Sequence, residues 1–320
     1  TMIASARSLV GRDGFAVNQK SADKVVAEVE KRAGFKFDPE QKVVISRLTE
    51  KAGIAVMVGY AGAGKSTVMN AVRAVYEGEG RRVVGGALAG KAAVGLQESA
   101  GIESRTLASW EASWKNGLRQ LGPGDVFVLD EAGMVGSAQM QRFVSAVEEA
   151  GAKLILLGDA RQLQPIEAGA AFRAIADDAG YIELTGVRRQ REEWMQNATI
   201  EFGKGNTADA IGRYVEHDLV QLESDSASAR NSLIGNWRSD WEAGVDVLML
   251  AHRNVDVLAL NMAARNVIKE GGGLQEEHGF RTDRGQRQFA VGDRIVFLEK
   301  SRELGVENGS FGNVEEASRG

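Results

Sequence analysis

Short apolar runs alternate with amphipathic stretches along the first two-thirds of the chain, which predicts strands feeding helices. The runs centre on residues 54–58, 82–88, 126–129 and 154–157, with a shorter one at 181–184. Such near-continuous aliphatic runs suit strands buried on both faces of a parallel sheet. Helical spacing marks the intervening segments. Val25, Val26 and Val29 form one stripe after a capping Ser21, ending at Gly34. Val43, Val44, Ile45 and Leu48 form another after Asp38 and Pro39, a cap followed by a first-turn proline. Residues 68–75, 133–147 and 170–176 also read as helices, whereas 1–20 show no period and read as an extended lead-in. A strand–helix–strand unit over 54–88 requires a parallel pair, so the fold class is α/β.

Trp110 and Trp114 lie four apart and share one helix face. They are either core packing or a stacking platform for bases. Beyond residue 192 the pattern is helical and polar, with a short strand possible at 216–221. An apolar strand follows at 245–251, an amphipathic helix at 255–268 and a β-like stretch at 281–298. Asn308-Gly309 is a hairpin turn signal.

Composition narrows the class. The chain has 320 residues, 43% hydrophobic and 26% charged, enough for about two soluble domains. Its net charge of -5 means that a nucleic acid would have to be gripped by local clusters. The densest basic stretch holds Arg281, Arg284, Arg287, Arg294, Lys300 and Arg302. Cysteine is absent, which excludes disulfides, thiolate zinc sites and thiol catalysis. His217, His252 and His278 lack metal-ligand spacing. With no long apolar run, the expected location is cytoplasmic, without membrane insertion. Thr1-Met2 and the 315–320 end read as cut points in a longer chain.

The chemistry concentrates at strand ends. Gly59-Tyr60-Ala61-Gly62-Ala63-Gly64-Lys65-Ser66-Thr67 is a complete G-x-x-x-x-G-K-[ST] loop between a strand and a helix. Its backbone N–H groups would wrap the phosphates of ATP, Lys65 would reach the β- and γ-phosphates, and Ser66 would hold Mg²⁺. Asp130-Glu131 follows the fully apolar run 126–129. Asp130 is expected to bind the same Mg²⁺, and Glu131 to accept a proton from attacking water; a plain helix cap is the alternative. Gln162 leaves the next strand end in the polar segment 158–165, where it can meet the γ-phosphate or the water. Arg188-Arg189-Gln190-Arg191 is either a solvated basic run or the source of a finger for transition-state charge. Gln41, on spacing alone, reads best as a solvated helix residue.

Together GYAGAGKST (59–67), ALAGKAAVGLQ (87–97), SRTLASW (104–110), VLDEAGMVGS (128–137), LLGDARQLQPIEAGAAFRAI (156–175), RRQREEW (188–194), LMLAHRNVDVLALNMAAR (248–265) and VGDRIVFLEK through NGSFGNV (291–314) resemble the RecD-like group of superfamily 1 helicases. The likeness is strongest to the helicase part of TraA-type conjugative relaxases. It implies two RecA-like domains, a P-loop domain over 37–191 with a small insertion near 98–124, and a second domain over 192–320 that looks incomplete. Residues 1–36 form an N-terminal lead-in and helix. By the same resemblance Gln41 contacts adenine, and Gly62, Ala63, Gly64, Lys65, Ser66 and Thr67 hold the phosphates. Lys91 and Thr106 touch single-stranded DNA, Gln162 couples γ-phosphate to DNA, and Arg189 faces the γ-phosphate. The implied activity is an ATP- and Mg²⁺-dependent 5′-to-3′ translocase on single-stranded DNA. Implied partners are a relaxase domain in the same chain and conjugative secretion machinery. The family's later motifs, including a second arginine facing ATP, have no match here. Two rivals therefore stand: a DNA- or partner-binding module with weak ATPase activity, and a RecD-like repair helicase.

Overall fold

A computed structural model describes the chain except residues 60–61, 159–169, 187–189, 191, 283–284, 300, 302, 307 and 319–320. Two compact units emerge, Thr1–His217 and Asp218–Gly320.

In the first unit, helices α1 (Met2–Gly11), α2 (Gln19–Ala33) and α3 (Pro39–Leu48) precede strand β1 (Ile54–Gly59). Next come α4 (Lys65–Gly78), β2 (Val83–Ala87), α5 (Gly90–Ala100), β3 (Glu103–Thr106), α6 (Leu107–Lys115) and β4 (Val126–Leu129). Helix α7 (Ser137–Glu149), β5 (Lys153–Gly158), α8 (Ala170–Ala179) and β6 (Ile182–Leu184) complete the sheet region, and α9 (Glu193–Lys204) and α10 (Thr207–Glu216) close the unit. The strands form one six-stranded sheet in the order β3-β2-β4-β5-β1-β6, and every pairing is parallel.

The side-chain period of two divides the core between the faces. Val126, Val128, Ile155 and Leu157 join Val68, Met69 and Val72 of α4 on one face. Phe127, Leu129, Leu154 and Leu156 join Met140, Phe143 and Val144 of α7 on the other. Both faces are covered by helices, which is why the strands read as unbroken apolar runs.

Two expectations fail here. Residues 2–11 are helical, not an extended lead-in. Thr1 caps α1 by accepting from the Ala4 N–H, and Ala6 and Leu9 are fully buried. Small Ala6 supplies little apolar signal in sequence, yet lets α1 lie close to α7 and α8. The cap of α2 is Asn18, not Ser21; its side chain accepts from the Ser21 N–H. The sequence also hid a buried lysine. Lys153 is fully buried, and its Nζ donates to the Glu50 carbonyl at 2.7 Å. Burial pushes its ammonium down to about 7.

The second unit holds α11 (Ser226–Glu242) and α12 (Asn254–Glu270). An antiparallel hairpin pairs β7 (His278–Thr282) with β8 (Gly285–Phe289), and another pairs β9 (Arg294–Val296) with β10 (Phe311–Asn313). The connection of the second hairpin does not reverse at Asn308-Gly309 as the sequence signal suggests: Ser301 and Val306 already pair antiparallel ahead of it, and Gly309, at φ +84°, donates its N–H to the Phe297 carbonyl at 2.7 Å. The strands expected at 216–221 and 245–251 are absent among the described residues. A strand needs a ladder partner, and 245–250 has none, leaving Leu248 and Leu250 73% and 79% exposed. The described residues of this unit therefore form antiparallel hairpins and helices, without parallel strand pairs. Among the described residues no helix is long and apolar enough to cross a membrane.

Candidate nucleotide-binding site

Strand β1 delivers the chain to the phosphate loop at Gly59, and α4 departs from it at Lys65. Gly62 and Gly64 have φ of +80° and +87°, a left-handed backbone that L side chains resist. Gly64 occupies the N-cap of α4 and supplies no side chain to its first N–H groups. Those amides and the helix dipole are what an anion needs. A Cβ on Gly59 would lie 3.1 Å from the Lys65 stem and 3.4 Å from Leu184. The first glycine thus makes room for the lysine, whose Nζ donates to the Gly59 carbonyl at 2.6 Å. Ala63 is buried, while Ser66 and Thr67 lie half-buried in the first helical turn.

Strand β4 carries the acidic pair to the same sheet edge. The Asp130 N–H donates to Gly86 of β2 at 2.9 Å, and Asp130 Oδ1 accepts from the Glu131 N–H at 2.8 Å. Glu131 sits at φ +52°, a left-handed conformation that costs energy for a side-chain-bearing residue. Burial pushes the Asp130 carboxyl up, against the pull of the Glu131 N–H and the Lys65 charge. Burial and then the Asp130 charge push Glu131 up as well. Two carboxyls raised by burial beside a lysine suit a divalent cation, which would restore the charged forms.

Helix α3 bears the adenine candidate. Gln41 is 4% exposed. Its Oε1 accepts from the Asp38 N–H at 3.2 Å while its own N–H donates to Asp38 Oδ1 at 2.8 Å, a capping box. Glu40, the residue before Gln41, reaches across to the chain after β6. Its Oε1 accepts from Thr185 N–H and Oγ1 at 2.8 and 2.7 Å, and its Oε2 from Gly186 N–H at 3.1 Å. Burial opposes its charge, yet these donors hold the carboxyl below its ordinary range. Only a 145-residue separation in sequence conceals this contact.

The DNA candidates leave neighbouring strands at that edge. Lys91 is exposed in the first turn of α5. Thr106 ends β3, opposite Ala87 of β2, and its Oγ1 accepts from Ser109 N–H to cap α6. Trp110 is 1% exposed, and its Nε1 donates to Gly85 O at 2.7 Å. Its ring meets Trp114 and Phe127 at 5.8 and 5.6 Å, so this tryptophan is core packing. Gln162 and Arg189 lie outside the described residues.

A glycine-rich loop between the first strand and its helix, facing an acidic pair on a parallel sheet, defines a P-loop NTPase fold. A family described as AAA domain matches residues 36–225, and the chain belongs to it. It is homologous to the conjugal transfer protein TraA of Rhizobium radiobacter, 47% identical over 98% of this chain and 28% of that protein. A more distant relative is the ATP-dependent RecD2 DNA helicase of Deinococcus radiodurans, 30% identical over 90% of this chain and 40% of that protein. The chain thus spans well under half the length of these relatives. A crystal structure of the Pif1 helicase from Candida albicans shares the fold, with a TM-score of 0.55 at 16% identity over 88% of this chain and 69% of that one.

Proposed function

We propose that this chain is the ATP-hydrolysing motor part of a conjugative DNA-transfer protein and moves 5′-to-3′ along single-stranded DNA. The observation that carries the reading is the convergence of Lys65 with Asp130 and Glu131 at one sheet edge, beside the starts of α5 and α6. The Gly62–Thr67 amides and Lys65 bind the triphosphate, and Gln41 presents its amide to adenine. Ser66 and Asp130 would hold Mg²⁺, which supplies charge neutralisation at the β- and γ-phosphates. Glu131 takes the proton of the attacking water, Gln162 orients it, and Arg189 stabilises the charge that develops on the γ-phosphoryl oxygens.

Lys91, Thr106 and the α5 and α6 starts grip the sugar-phosphate backbone, so DNA binding is salt-sensitive and weakly sequence-specific. The motor spans 37–191 with its insertion near 98–124, and 192–320 contributes to a second motor domain. A relaxase domain in the same polypeptide and the secretion machinery are its partners, in the cytoplasm. One observation favours the rival binding module: the described residues of the second unit hold no parallel sheet.

Substituting Lys65→Ala tests the reading. ATP turnover should fall by roughly 100-fold or more with the melting temperature unchanged. Unchanged turnover would contradict it.

A further inference from the structure

We propose that Glu40 is a positioning residue for nucleotide-base recognition: it fixes the helix start that carries Gln41 at a set distance from the phosphate loop. The inference rests on the ATP-binding reading above and adds a residue that neither the loop motif nor the acidic pair contains.

Helix α3 is anchored at both ends to the elements that flank the loop. At its C-terminal end, Tyr76 of α4 donates its hydroxyl to the Leu48 carbonyl at 3.0 Å. Helix α4 is the element that leaves the loop. At its N-terminal end, Glu40 holds Thr185 and Gly186 through three hydrogen bonds. Those two residues follow β6, which pairs with β1, the element that enters the loop. The register places Leu184 opposite Gly59, the first glycine of the motif. One carboxylate therefore joins the residue before Gln41 to the chain beside Gly59. Gln41 itself makes no such link, since its Oε1 and backbone N–H serve the local capping box with Asp38. A capping box shapes the helix start but says nothing about where that start sits over the sheet. Glu40 supplies that placement.

A nucleotide spans the two halves, its phosphates in the loop and its base at Gln41. Base discrimination by paired donors and acceptors fails when the reading group shifts by a fraction of a hydrogen-bond length. Phosphate binding uses the loop amides and Lys65, which Glu40 does not touch. Loss of Glu40 should therefore separate the two.

The test compares wild type, Glu40→Gln, Glu40→Ala and Thr185→Val, with Lys65→Ala as the control. Two quantities are read: the ratio of kcat/KM for ATP to that for GTP, and the affinity for inorganic tripolyphosphate. In Glu40→Ala the ATP preference should fall by about tenfold while tripolyphosphate affinity stays within about twofold. Glu40→Gln, which keeps one acceptor, should lie between. Thr185→Val removes only the hydroxyl contact and should show a smaller loss of the same kind, which preserves the test if Glu40→Ala does not fold. An unchanged ATP preference in the folded variants would overturn the proposal, as would equal losses for tripolyphosphate and for ATP. A wild type without base preference would overturn it too. A wild type that hydrolyses no nucleotide, or one unaffected by Lys65→Ala, would instead sink the reading on which it rests.

Discussion

Asp130 and Glu131 sit adjacent, their carboxyls raised first by burial. A carboxyl raised in the folded state favours the fold at pH values below its unfolded titration. That advantage is lost as pH rises through the folded value, because the native state must then hold a poorly solvated charge. Asp130→Asn removes the charge and keeps an oxygen to accept from the Glu131 N–H. In nucleotide-free protein it should raise the melting temperature by a few degrees at pH 7.5, and the gain should shrink toward pH 4. A lower melting temperature at pH 7.5 would show that the Asp130 charge is compensated. The same substitution should depress ATP turnover, a cost of function carried as instability. These residues were legible in sequence because an acidic pair after an apolar run has few structural uses. Glu40 was not, because one carboxylate in a helix's first turn looks like dipole stabilisation until its partners are known. The energetics of Lys153 were hidden for a similar reason: a lysine at the start of a strand is ordinarily exposed, and here Phe15 and Tyr76 lie within 6 Å of its ammonium.

At the scale of elements, periodicity found the strands that are buried on both faces and missed those whose stability is borrowed. Strand β3 is Glu-Ser-Arg-Thr, with no apolar residue; it exists because β2 offers a free edge. Residues 245–251 have the reverse character, apolar enough for a strand but without a ladder to join. Local pattern reports burial potential, whereas pairing is a property of the neighbours. The Trp110 and Trp114 pair follows the same logic. Spacing left packing and base stacking both open, and the packing around Phe127 and Phe143 decides for Trp110. Trp110→Ala should destabilise the fold by about 3–5 kcal/mol. Single-strand affinity per folded molecule should stay within about twofold, since a buried ring offers no stacking platform. Denaturant unfolding and fluorescence anisotropy would check this. A loss of affinity with unchanged stability would return Trp110 to the DNA surface.

At the scale of the molecule, one compact unit carries the glycine-rich loop, the acidic pair and helix α3, and the described residues of the second form helices and two hairpins. The chain's acidic balance of -5 leaves DNA attraction to local groups. Arg281 and Arg287 of the first hairpin are exposed. Arg294 is exposed as well, although it pairs with Asp246 at 3.0 Å and lies over the Phe311 ring. These three arginines of the basic run therefore all lie at the surface. In the proposed function, ATP turnover at the Lys65 site answers to DNA. The direct measurement is the rate of Mg²⁺-dependent ATP hydrolysis by this chain with and without single-stranded oligonucleotide, repeated as salt is raised. A several-fold stimulation that fades with salt and is lost in Lys65→Ala is expected. A rate that is the same at saturating oligonucleotide as without it would rule out a DNA-driven motor.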